Sequence, residues 1–167
     1  IFNFLLILFS LLLSSLGSSF AQRTGYSRDE IVRRRMALMD QVQGGMIILF
    51  GESLPQPGAH FRQDNDFYYF SGIEDMNAIL VITPKTKESF LFLPEQTQRE
   101  KMVEGKNLLS DEKAKEKTGL IDILPLSYFD EFIARNARRH GQVFYLRLSP
   151  RDVVDDARWE TLIFVAR

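Results

Sequence analysis

The pattern of apolar and polar positions divides most of the chain into short alternating helices and strands. Ser27-Arg28-Asp29-Glu30 has the form of a capping box, in which the Ser27 hydroxyl accepts from the third helical amide while Glu30 reaches back. Val32, Met36 and Met39, with Ile31, Leu38 and Val42 beside them, predict an apolar helix face to about Gln43, and Gly44-Gly45 ends it. Met46 to Phe50 is apolar on both sides, which predicts a strand buried on both faces. A loop rich in Pro and Gly runs from Gly51 to Gln63. Phe67 to Phe70 and Ala78 to Thr83 read as strands joined through Gly72-Ile73-Glu74-Asp75. Pro84 to Glu88 reads as a hairpin turn into the strand Ser89 to Leu93.

Helices are expected at about Thr97 to Val103 and Asp111 to Lys117, the second stopped by Gly119. Ile121 to Leu124 reads as a strand and Ser127 to His140 as a helix stopped by Gly141. Arg138, Arg139 and His140 stand where cations favour the helix dipole, so His140 is expected at the surface. Val143 to Leu146 reads as a further strand, and Ser149-Pro150 opens a last helix. Hairpin-linked and helix-linked strands together predict an α/β fold, a mixed β-sheet flanked by helices.

Charge changes the picture at the N-terminus. Every charged residue lies from Arg23 onward, behind an apolar run from Ile1 to Leu16 and the small-residue stretch Gly17 to Ala21. Ser19 and Ala21 stand at the two small-residue positions of a secretory signal peptide, so residues 1–21 are expected to be removed before Gln22. Spanning a bilayer takes roughly 20 apolar residues, and Asn3, Ser10, Ser14 and Ser15 dilute this run, so no stable span is expected after cleavage. The mature part, residues 22–167, is then exported, periplasmic or extracellular. The missing initial Met and the apolar stretch Leu162 to Val165 before Arg167 are read as a chain cut at both ends.

Composition excludes several kinds of chemistry. The 167 residues contain no cysteine, so neither a disulfide framework nor a thiolate site is available. A net charge of −1 lacks the basic excess of a nucleic-acid binder. The two histidines, His60 in a loop and His140 at a helix end, are too far apart for a zinc motif. Gly51-Glu52-Ser53-Leu54-Pro55 departs from a nucleophile elbow at its fifth position. Asp64-Asn65-Asp66 starts like a calcium loop, but Tyr68 and Tyr69 follow where oxygen ligands belong. Adjacent Asp155 and Asp156 do not face each other on a helix. Arg33-Arg34-Arg35 reads as a solvated helix face, with one arginine reaching a carboxylate. No catalytic or metal-ligating set emerges.

The segment Phe61-Arg62-Gln63-Asp64-Asn65-Asp66-Phe67-Tyr68-Tyr69-Phe70-Ser71-Gly72 is more particular, leading into Ala78 to Ile82 and Phe90 to Pro94. It resembles the N-terminal domain of Xaa-Pro aminopeptidases, in the creatinase/prolidase superfamily, matching that family's motif at Arg62, Asp66, Phe67, Tyr69, Ser71 and Gly72. Arg33-Arg34-Arg35 to Leu38 resembles the family's first helix, and the resemblance extends from about Ser27 to the C-terminus. It implies a non-catalytic half that shapes the substrate cleft and assists homo-oligomer assembly. Catalysis in such enzymes belongs to a following domain, where a pair of Mn²⁺ ions activates water to cleave before proline in a peptide with proline at its second position. Those ligands are absent from this chain, so it is expected to be inactive alone. Where the family often carries a Trp that reaches a neighbouring subunit, this chain has Val103; its only Trp, Trp159, reads as core.

Within the motif, Arg62 and Asp66 are expected to pin a loop-to-strand entry, and Gly72 to take a positive φ. Phe67 and Tyr69 would face one side of the sheet, Tyr68 and Phe70 the other. His60, Arg62 and Tyr69 are the candidates for the substrate cleft. The resemblance leaves open an N-domain of a prolidase or creatinase type, and a non-enzymatic interaction module of the same superfamily.

Overall fold

The computed structural model describes residues 25–42, 44–53, 60–103 and 105–141, and the backbone of residues 144–147. The expected leader at 1–21, the helix opened by Ser149-Pro150, the Asp155-Asp156 pair and Trp159 lie outside the described residues.

Five strands form one mixed sheet in the order β4-β3-β2-β1-β5. They are β1 (Met46–Phe50), β2 (Ile79–Thr83), β3 (Glu88–Leu93), β4 (Asp122–Pro125) and β5 (Phe144–Arg147). The two central pairings, β1 with β2 and β2 with β3, are antiparallel. The outer two, β1 with β5 and β3 with β4, are parallel. Successive side chains point to opposite faces, so each apolar strand feeds two cores. Ile47, Leu49, Leu80, Ile82, Leu91 and Leu93 face one layer with Met39, Phe67, Ile73 and Leu120. Met46, Ile48, Phe50, Ile79, Val81 and Phe92 face the other, with Phe129, Phe132, Ile133 and Ala137. Strands β1 and β2 are buried along their whole length, as expected of strands covered on both sides.

Helix α1 (Arg28–Gln41) begins at Ser27, whose hydroxyl accepts from the Glu30 amide at 3.3 Å. The reciprocal half of the capping box is not made, because the Glu30 carboxylate takes the Arg34 Nε at 2.9 Å and pairs with Arg33. The buried stripe of α1 is Ile31, Arg35 and Met39, spaced by four, while Met36 faces outward.

The clearest departure from expectation is the aromatic run, which is not a strand. It forms helix α2 (Asn65–Ser71), capped by the Asp64 carboxylate and closed by Gly72 in the left-handed conformation at φ 66°. Aromatic side chains at every position from 67 to 70 fit either periodicity, and the two caps decide between them. The expected two-sided alternation is therefore lost. Phe67 is buried, Phe70 packs against the same core, and Tyr69 is 48% exposed.

Helix α3 (Gln98–Val103) follows Thr97, which completes a capping box. The Thr97 amide and hydroxyl donate to Glu100 Oε2 at 2.6 and 2.8 Å, and the Glu100 amide returns a bond to Thr97 Oγ1. The Thr97 amide, then its hydroxyl, holds the Glu100 carboxyl below its usual range. The expected helix at 111–117 is a shorter α4 (Ala114–Thr118), preceded by a 3₁₀ turn (Leu108–Ser110) and ended by Gly119 at φ 65°. A second 3₁₀ turn (Leu126–Tyr128) leads into α5 (Phe129–His140).

His140 is not a surface residue. It lies on the same helical stripe as Phe129, Phe132, Ile133 and Ala137 and is only 5% exposed. The stripe, rather than the dipole, decides where its ring goes. Its carbonyl accepts from the Gly45 amide at 3.0 Å, which joins the end of α5 to the entry of β1.

Candidate functional site

The motif at 61–72 is a knuckle where a loop turns into α2. Asp64 Oδ1 accepts from the amides of Asp66 and Phe67 at 3.0 and 2.9 Å, satisfying two donors that a helix start leaves open. Gln63 ties the knuckle to the sheet. Its Oε1 accepts from the amides of Glu52 and Asp64 at 2.6 and 3.0 Å, and its Nε2 donates to the Asp75 carbonyl at 3.0 Å. This close fit needs Gly51, where a Cβ would stand 3.1 Å from both Gln63 Oε1 and the Ala78 carbonyl. Gly51 and Asn77 complete the join, donating to the Ala78 and Glu52 carbonyls at 2.8 and 3.0 Å. At the far end, Ser71 Oγ accepts from the Ile73 amide at 3.0 Å.

The arginine triplet does three different things. Arg33 is exposed and pairs with Glu30. Arg34 stacks on Tyr26 and Tyr69 and donates from Nη1 to the Tyr69 carbonyl at 3.2 Å. Arg35 corrects the expectation of a solvated face, being 2% exposed and reaching no carboxylate among the described residues. It donates to three backbone carbonyls instead: Phe70 at 3.2 Å, Thr118 at 2.8 Å and Gly119 at 3.1 Å. Burial, with the nearby charge of Arg28, lowers its pKa to about 10, so it remains charged at neutral pH. The signal was its spacing, four residues from both Ile31 and Met39.

Of the three substrate-cleft candidates, His60 and Arg62 are exposed on the loop before α2, and Tyr69 is on the helix itself. Arg62 Nη2 donates to Asn65 Oδ1 at 3.4 Å, at the entry to a helix rather than a strand. None of the three lines the main cleft.

That cleft, of about 1060 Å³, lies between the start of α1 (Tyr26, Arg28, Ile31), the connection after α2 (Ser71 to Asp75) and the segment from Lys106 to Thr118. A smaller hollow of about 330 Å³ adjoins it through Glu74, Asp75, Lys106 and Asn107. Both signs of charge line the main cleft. Asp111 is held below its usual range, first by the Lys117 ammonium at 2.6 Å and then by the Lys113 amide. Asn107 forms the buried floor shared by both hollows, donating from Nδ2 to the Pro94 carbonyl at 2.8 Å and from its amide to Gln96 Oε1 at 2.9 Å. No histidine lines either hollow, and Ser71 is already engaged by Ile73. The arrangement can hold a polar chain bearing both charges, but it offers no nucleophile with a base beside it.

An α/β domain built round a capped loop-to-helix knuckle, with a cleft but no reaction centre among its described residues, is the class these features define. Residues 31–145 match the model of the aminopeptidase P N-terminal domain, and the chain belongs to that family. Three solved structures of Escherichia coli aminopeptidase P are similar to it. The low-pH form is 26% identical with a TM-score of 0.67, covering 86% of this chain and 33% of its own. A single-residue variant is 25% identical with a TM-score of 0.66, covering 84% and 32%. A zinc-substituted form in complex with product is 26% identical with a TM-score of 0.64, again covering 84% and 32%. The chain thus spans about a third of the length of the solved structures it matches. No curated protein matches it.

Proposed function

We propose that this chain is the N-terminal, non-catalytic domain of an exported, metal-dependent Xaa-Pro aminopeptidase, which removes the residue preceding proline from a peptide N-terminus. The observation that carries this reading is the family match over residues 31–145, on a chain about a third as long as the aminopeptidase P structures it resembles. In this reading residues 1–21 are a leader removed before Gln22, and residues 22–167 form the domain, delivered to the periplasm or the exterior. The domain shapes the substrate cleft and assists homo-oligomer assembly, with His60, Arg62 and Tyr69 as its substrate-facing candidates.

The described residues do not fit a metal centre. Among the described residues no three of His, Cys, Asp and Glu come together to hold an ion. In this reading the Mn²⁺ pair is held by a following domain. Likewise, among the described residues no helix is long and apolar enough to cross a membrane.

The test compares the purified chain with a polypeptide extended through the downstream domain, each given an Xaa-Pro peptide and Mn²⁺. The chain alone is expected to show no turnover and the extended protein proline-specific cleavage. Proline-specific cleavage by the chain alone overturns the reading, and an inactive extended protein favours a non-enzymatic interaction module.

A further inference from the structure

Arg34 joins two parts of the chain that the sheet does not join. Its guanidinium carbon lies 3.9 Å from the ring centre of Tyr26 and 4.2 Å from that of Tyr69. Its edges are also engaged, with Nε donating to Glu30 Oε1 at 2.9 Å and Nη1 to the Tyr69 carbonyl at 3.2 Å. Only 10% of the side chain remains exposed. Glu30 and Tyr69 therefore fix the guanidinium, and the fixed guanidinium presents a surface on which Tyr26 rests.

Tyr26 itself sits just before the Ser27 cap, outside the hydrogen-bonded helix. Residues 25–27 are exposed, and Gly25 has open space around it. Yet Tyr26 is a wall of the main cleft, on the same side as Arg28 and Ile31 and across from the segment 106–118. One rim of the cleft is thus a short exposed strap, while the opposite side is anchored through Arg35 to the Thr118 and Gly119 carbonyls.

We propose that the Tyr26–Arg34–Tyr69 stack is a latch that holds Tyr26, just before the Ser27 cap, as the movable wall of the cleft, so that releasing Tyr26 opens the cleft from the N-terminal side. The latch needs a flat cation, because a lysine ammonium keeps the charge but cannot stack in parallel on a ring while bonding Glu30 and the Tyr69 carbonyl. On the Tyr26 side it needs the ring that lies over the guanidinium. This inference is independent of the aminopeptidase reading.

Two measurements on the full chain test it. The first is the solvent-exchange rate of the Arg34 Nε proton by NMR, expected to rise about two- to five-fold in Tyr26→Ala. The second uses the absence of native cysteine: a thiol at Ser71→Cys, on the cleft wall, is labelled with a maleimide. Its labelling is expected to quicken by a similar factor when Tyr26→Ala or Arg34→Lys is added. Thr118→Cys replaces Ser71→Cys if that variant does not fold. An unchanged Nε exchange rate in Tyr26→Ala overturns the latch. Faster exchange with unchanged labelling overturns the role of Tyr26 as a wall.

Discussion

Arg35 donates from Nη2 to the Thr118 carbonyl at 2.8 Å, joining the middle of α1 to the last turn of α4 across 83 positions of sequence. The same guanidinium reaches the Gly119 carbonyl and, from Nη1, the Phe70 carbonyl near the end of α2. One cation therefore meets the carbonyl ends of two helices, where the helix dipole is negative. This explains how a buried arginine is tolerated without a carboxylate partner, since its protons are taken up by oxygens that helix ends leave open.

Replacing Arg35 should accordingly be among the most damaging single changes in the domain. Arg35→Met leaves three carbonyls short of a donor and is expected to cost about 3 kcal/mol. Arg35→Lys should recover only part of that loss, since a single ammonium cannot span both helix ends. Urea denaturation of the three proteins checks the order wild type, Lys, Met.

The knuckle depends on one carboxylate. Asp64→Ala removes the acceptor for the Asp66 and Phe67 amides and should cost about 1 kcal/mol, whereas Asp64→Asn retains most of the cap. Thermal unfolding monitored by circular dichroism separates these outcomes, with the Asn variant melting close to wild type.

Gly119 combines a left-handed backbone with a crowded site. A Cβ there would stand 2.5 Å from Val32 Cγ2, and the φ of +65° is one that side chains rarely adopt. Gly119→Ala is expected to destabilise the chain by about 2 kcal/mol, readable as a lower urea midpoint with an unchanged slope.

His140 makes stability sensitive to mild acid. Burial, then the charge of Arg139 and of Lys85, lowers its pKa from 6.5, with Glu88 opposing. The unfolded chain thus takes up a proton before the folded one does, so stability is full above about pH 6.5 and falls as the pH drops toward the folded value. Comparing unfolding midpoints at pH 7.5 and pH 5 (roughly one unit or more on either side of the free imidazole value) should show this loss in wild type. His140→Gln should reduce it.

The proposed leader is checked by export. Expressed in a secreting host, the protein should appear outside the cytoplasm with Gln22 as its first residue, read by N-terminal sequencing. An intact N-terminus on exported protein contradicts cleavage, and Ala21→Trp should block processing by filling the small-residue position.

Much of this fold is legible where local chemistry has one solution. Ser27 and Gly119 mark helix ends because a hydroxyl or a missing Cβ suits few other settings, Gly72 takes its expected positive φ, and the apolar runs of β1, β2 and β3 admit little besides covered strands. The aromatic run at 67–70 was misread because it contains no polar position to set a period, and the deciding carboxylate of Asp64 lies outside it. Arg35 and His140 were misplaced for a shared reason. Each is polar by type but occupies a step of an apolar helical stripe, so position outweighs chemistry once the helix packs. The cleft has no local signature, since its walls at 26–31, 71–75 and 106–118 meet only in the folded chain. The knuckle was found through family resemblance, whereas the roles of Gln63 and Gly51 in it appear only with the sheet in place.

The parallel pairing of β1 with β5 bears on the order of assembly during synthesis. β1 is made early and β5 last among the described strands, so one side of β1 stays unpaired until residues 144–147 emerge from the ribosome. The antiparallel β1–β2–β3 part can form first, from contacts closer in sequence, but it carries an open apolar edge in the meantime. A nascent chain halted before β5 is therefore an aggregation hazard, and chaperones that bind extended apolar segments have their target in Met46 to Phe50.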